Sequence, residues 1–105
     1  MESFKLDESL WEKALGKPFF FLQSDGLTSL AFAFTSGQRL PAEGFSVHSS
    51  PEIFVMISGE IQLGLEDGER TIGPGTVNVL GAGEKHYTRN VGDESAKVVS
   101  FSLPS

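Results

Sequence analysis

Turn-forming residues interrupt this chain so often that no regular element can run long. Twelve glycines and five prolines stand among 105 residues. Breaks occur at Ser24-Asp25-Gly26, Ser36-Gly37-Gln38, Asp67-Gly68, Gly73-Pro74-Gly75 and Gly92-Asp93-Glu94. They recur about every ten residues, the spacing of short strands in a sandwich or barrel. Between them the apolar period is two. Leu30, Phe32 and Phe34 alternate with Ser29, Ala31 and Ala33, one bulky face against one small face. Nine or ten short strands are expected, over residues 19–23, 30–34, 45–48, 52–58, 60–66, 70–72, 77–80, 86–90 and 97–103. The fold class is all-β. The repeated Gly and Pro breaks favour a rolled, closed architecture that leaves no long edge strand bare.

One short helix precedes the strands. Ser9-Leu10-Trp11-Glu12 has the form of a capping box with Ser9 as N-cap. Leu6, Leu10, Trp11 and Leu15 fall near one face, and Gly16 can close the helix. The length bounds the chain at one domain over 1–105. A domain this small has a poor surface-to-volume ratio, so a homodimer is expected, formed by sheet extension through the Phe-rich N-terminal strands. The net charge of −6 argues against nucleic acid and against an anionic membrane surface. There is no cysteine, which excludes disulfides, zinc thiolate sites and thiol nucleophiles. A cytoplasmic location fits. The first residues lack the apolar stretch of a signal peptide, and the run Phe19-Phe20-Phe21-Leu22 is far too short to span a bilayer.

The chemistry lies with the two histidines. Glu52 follows His48 by four positions, and His86 lies further on, after Gly81 and Gly83. The Ser49-Ser50-Pro51 kink falls between His48 and Glu52, and Pro51 cannot donate to a strand ladder. His48 and Glu52 can therefore point into one barrel mouth from adjacent segments. The glycine-rich turn can deliver His86 to the same place. Two imidazoles and a carboxylate bind Fe, Mn, Ni, Zn or Cu as a divalent ion, and the ligand types do not choose among them. Glu52 is the one candidate catalytic residue. Phe54 and Met56 share its alternation parity, so they either line the cavity beside the metal or are plain core residues. Tyr87 and Arg89 have the opposite parity to His86 and are expected to face outward. Asn90 is expected to bond backbone groups rather than a metal. No phosphate loop, dinucleotide fingerprint or Ser-His-Asp arrangement is present.

Residues Ser46 to Asn90 resemble the cupins, a family of small jelly-roll barrels, with core motifs spanning 44–90. Glu52 through Gly59 fits the E(X)6G half of the first cupin motif, and His48 stands at its second histidine. Gly75, Gly81, Gly83, His86 and Asn90 follow the second motif, G(X)5PXG(X)2H(X)3N, with Gly81 where proline is common. Ser46 occupies the first histidine position, and Leu40 that of the leading glycine. The resemblance implies a double-stranded β-helix with His48, Glu52 and His86 as metal ligands, three of the usual four. It implies a small-molecule ligand in the barrel, with Ser46, Phe54 and Met56 as pocket residues. Dioxygenase, isomerase or lyase chemistry is compatible with it. So is a non-catalytic module that binds or senses a small molecule or sugar through a degenerate metal site.

Overall fold

The computed structural model describes residues 1–103. One helix, α1 (Glu8–Lys13), precedes nine strands among the described residues: β1 (Phe19–Ser24), β2 (Leu27–Phe34), β3 (Arg39–Leu40), β4 (Glu52–Ser58), β5 (Ile61–Leu65), β6 (Gly68–Ile72), β7 (Val77–Leu80), β8 (His86–Asn90) and β9 (Ala96–Ser102). They form an antiparallel five-stranded sheet, ordered β1-β2-β9-β4-β7, and a four-stranded sheet, ordered β3-β8-β5-β6. The two inner faces pack a core of Phe32, Phe34, Phe54, Met56, Ile61 and their neighbours, the arrangement of a jelly roll.

The alternation in β2 has a cause on each side. Phe32 and Phe34 enter the core between the sheets. Ala31 and Ala33 face the other way and receive Leu10, Trp11 and Ala14 of the α1 segment. Small residues there let the helix lie close to the sheet. Gly16 N–H donates to the Ala33 carbonyl at 2.8 Å, and Ala33 N–H donates to the Ala14 carbonyl at 2.9 Å.

Three local expectations change. The N-cap is Asp7, whose Oδ1 accepts from Leu10 N–H at 3.1 Å, so Ser9 lies inside the helix. An extended residue with a carboxylate at the first free amides outcompetes a hydroxyl two positions on. Residues 45–48 form no strand. Ser46 alone makes a bridge, exchanging both backbone bonds with His86 at 2.7 and 3.0 Å. The two-residue strand β3 was not expected. It is defined by its pairing with β8, Arg39 opposite Arg89 and Leu40 opposite Thr88.

The register layers the barrel interior. Glu52 pairs with Ser102 on one side and Leu80 on the other, forming a rim. One row further in, Ser100 lies between Leu30 and Phe54. In the next row, Val98 lies between Phe32 and Met56. Across the barrel, His86 is at the rim and Thr88 one row below it. Polarity therefore falls from rim to floor. No helix among the described residues is long and apolar enough to cross a membrane.

Candidate metal centre

Glu52 opens β4 and His86 opens β8, so each projects inward from the first residue of a strand at the same end of the barrel. His48 comes from the loop two residues past the Ser46 bridge. That loop is fixed, because the His48 carbonyl accepts from Gly83 N–H at 2.8 Å. Gly83 has φ +79°, a conformation natural to glycine, and it ties the turn before His86 to the loop carrying His48. Glu84 supports the same turn by accepting from Gly81 N–H at 2.9 Å.

One ligand atom from each of His48, Glu52 and His86 lies within 4.8 Å of the others. His48 Nε2 is 3.8 Å from Glu52 Oε1, and the imidazole rings are tilted with centroids 5.2 Å apart. His86 is buried and its Nδ1 lies 3.1 Å from the Glu84 carbonyl. A carbonyl only accepts, so Nδ1 carries the proton and Nε2 is left with its lone pair for the barrel mouth. Glu52 is also oriented. Ser100 Oγ donates to its Oε2 at 2.9 Å, leaving Oε1 facing His48. His48 is the exposed member of the three. An imidazole whose Nδ1 is held by a carbonyl, beside an oriented carboxylate, is the donor chemistry of a divalent transition-metal site, and the residues fit such an ion.

Beneath the three ligands lies a cavity of about 430 Å³. Ser46 and Phe54 line it, as do Leu40 and Thr88 from the smaller sheet. Met56, for which the alternation left open a place beside the metal or in the core, lies in the core and is 1% exposed. It shares the parity of Glu52 but sits two rows deeper, where the sheets close together. Ser100 and Thr88 escaped the sequence reading. Their alternation parity was visible, but which parity faces inward depends on partner strands distant in sequence.

The motif residues outside the site have structural work. Gly59 has φ +77°, and a Cβ there would lie 2.8 Å from the Ala96 backbone. Asn90 is fully buried and donates to the carbonyls of Phe34, Thr35 and Glu94, while its Oδ1 accepts from Gly92 N–H. It locks the chain reversals around β8 and is not a ligand. Tyr87 lies on the outer side of the smaller sheet, across Gly64, with the Arg39 guanidinium 4.0 Å from its ring centroid.

Residues 37–102 match the cupin domain family. No curated protein matches the chain. Among solved structures, a structural-genomics protein of unknown function from Rhizobium leguminosarum superposes with a TM-score of 0.77 at 20% identity, covering 100% of this chain and 98% of that one. A cupin superfamily protein from Desulfitobacterium hafniense gives 0.73 at 18% identity, covering 84% and 76%. A cupin domain from Bordetella pertussis gives 0.67 at 19% identity, covering 84% and 92%. These likenesses concern the fold. The sequence match spans more than half the chain and contains all three converging ligands, and the chain therefore belongs to the cupin family.

Proposed function

We propose that this protein binds one divalent metal ion through His48, Glu52 and His86 and acts on a small organic molecule held in the cavity below. The observation that carries the reading is the convergence of three donor atoms, two of them oriented by further hydrogen bonds, at the mouth of that cavity. When bound, the ion supplies Lewis-acid polarisation or oxygen activation. The protein's own residues do the rest. Glu84 keeps His86 in the ligating tautomer, Ser100 aims Glu52, and the aromatic lower wall offers an apolar surface to the substrate. Ser46, in place of a fourth ligand, leaves its side of the site open, as catalytic sites require. Dioxygenase, isomerase and lyase chemistry all fit this arrangement.

A second reading is supported by one observation. Among the described residues, the only titratable side chains lining the cavity are the three ligands themselves. No separate general acid or base stands beside them, and Glu52 would have to serve as both ligand and base. This favours a module that binds or senses a small molecule without turning it over. The proposal also includes a homodimer in a cytoplasmic setting.

Metal analysis on untagged protein tests the site. We expect about one ion per chain for the wild type, and loss of it in the His48→Ala/His86→Ala variant. Equal metal content in the two would sink the assignment. The sensing reading predicts ligand-dependent thermal stabilisation that survives chelation, and its loss on adding EDTA would argue for the metal-dependent one.

A further inference from the structure

We infer that the ligand of this cavity has an uncharged, apolar, ring-sized body and a single oxygen-donor end, and that it is neither a sugar nor a phosphorylated or multiply anionic metabolite. The inference deepens the small-molecule reading above and rests on the metal site only for the ligand's polar end.

Among the described residues, no lysine or arginine lines the cavity. Phosphate recognition draws on cationic forks or on rows of free backbone amides at a helix N-terminus, and α1, the one helix among the described residues, is packed on the outer side of the sheet. The chain's net charge of −6 opposes anions further. A carboxylate or phosphate sent to the floor would meet no counter-charge.

The second point is where the polar groups stand. Ser46, Glu52, His86 and Ser102 belong to the rim. One row down, the Ser100 hydroxyl is already committed to Glu52. Thr88 is the remaining hydroxyl at that depth, opposite Leu40. Below it the wall is Phe32, Phe34 and Val98, with the two phenylalanine rings edge-on at 4.8 Å. A sugar carries hydroxyls around its whole circumference. Placed here, most would be buried without partners, which a binding site cannot tolerate. An apolar ring meets mostly aromatic and aliphatic surface below the Thr88 row, and the volume of about 430 Å³ accommodates it.

The test separates this inference from the metal reading by using metal-free protein first. Methyl resonances of Leu30, Leu80 and Val98 are followed by NMR during titration with benzyl alcohol, xylose or inorganic phosphate. Benzyl alcohol should shift them with a dissociation constant at least ~10-fold below that of xylose, and phosphate should leave them unmoved. Xylose or phosphate shifting them as strongly as benzyl alcohol would overturn the inference, whether or not the protein binds metal. A second arm uses nickel-loaded protein and calorimetry with two bidentate oxygen donors, tropolone with its apolar ring and oxalate without one. The tropolone-to-oxalate affinity ratio should exceed that measured on free nickel by at least ~10-fold, and Thr88→Lys, which adds a cation to the wall, should shift it toward oxalate. A ratio equal to that on the free ion would overturn the inference. Failure of nickel to bind would count against the metal site alone, leaving the metal-free arm to decide the cavity.

Discussion

Ser100 acts on the metal centre without supplying a ligand. Its hydroxyl holds Glu52 Oε2 at 2.9 Å and so decides which carboxylate oxygen faces His48. Orienting partners of this kind commonly contribute 10–100-fold in metal affinity. Ser100→Ala should weaken metal binding by about that factor in a competition titration against a chromophoric chelator, with the fold intact by circular dichroism. Unchanged affinity would mean that Glu52 is held well enough by its strand alone. Gly64 makes a different demand. Its Cβ, if present, would lie 1.7 Å from Tyr87 Cε2, so alanine must displace the ring from Arg39 and Glu69. Gly64→Ala should cost about 1–3 kcal/mol in urea unfolding, as overpacked sites do. At Gly81 the nearest atom to a new Cβ is 3.7 Å away, and the same substitution should be far milder. Tyr87 also predicts a pH effect. Its hydroxyl donates to Glu69, and that bond, with desolvation and the carboxylate charge, raises its pKa above the ordinary 10.0, while Arg39 and Arg89 pull it down less strongly. A group raised in the folded state stabilises the fold below its unfolded pKa and loses that contribution as pH climbs through the folded one. Tyr87→Phe should therefore reduce the fall in stability above pH 10, measured as the urea midpoint against pH.

Helix α1 shows how much an element can depend on its neighbour. Six residues are too few to hold a helix in water. It persists because Leu10 and Trp11 bury against Ala31 and Ala33 of β2, with Asp7 as its cap. Ala31→Leu would fill that space at a cost of about 1–3 kcal/mol and should undock the helix. Trp11 is the only tryptophan, so undocking reads out as a red shift of its emission. Metal affinity should stay at the wild-type value, because α1 and the cavity lie on opposite faces of the five-stranded sheet. An unshifted spectrum would show that the helix tolerates the larger side chain. The same dependence explains what could be read from the chain before folding it. Strands such as β4 and β8 were legible, since their alternation and flanking glycines are local facts. So were His48, Glu52 and His86, because motif spacing carries them. Strand β3 was not, because only its register with β8 makes Arg39–Leu40 a strand. Residues 45–48 look extended in isolation, yet Ser46 alone finds a partner. Met56 was ambiguous for a related reason. Parity tells which way a side chain points, while depth in the barrel is set by how three strands align.

At the scale of the whole molecule, the outer face of the five-stranded sheet is not finished. The expected route to a dimer is sheet extension through β1, an edge strand whose Phe20 and Leu22 stay exposed while the chain itself covers its other face. Phe4 packs against Phe19 and Phe21, which pack against each other. A second bare surface lies at the other end of the sheet. Register places Val79, Ile53 and Phe101 in one outward row and Val77 and Val55 in the next, which ends at Val99, packed against the helix cluster. Val77 and Val79 are 61% and 67% exposed. Val77, Val79 and Phe101 form an exposed apolar patch beside the half-buried Ile53 and Val55, the kind of surface that marks an interaction site. A flat grid of β-branched side chains can meet its own copy across a two-fold axis, each row covering its equivalent. The patch would form the apolar core of an interface, with polar surroundings supplying the rest of the roughly 800 Å² per partner that stable dimers bury. Charge gives the sign of the salt effect. Two chains at −6 each repel, so shortening the Debye length should tighten association instead of loosening it. Sedimentation equilibrium should show a dimer at micromolar concentration whose dissociation constant falls as sodium chloride is raised. Val77→Glu/Val79→Glu should weaken it at least ~100-fold while leaving metal binding intact, since both residues point away from the barrel interior. A wild-type protein that stays monomeric at high concentration and high salt would remove this face as an interface between copies.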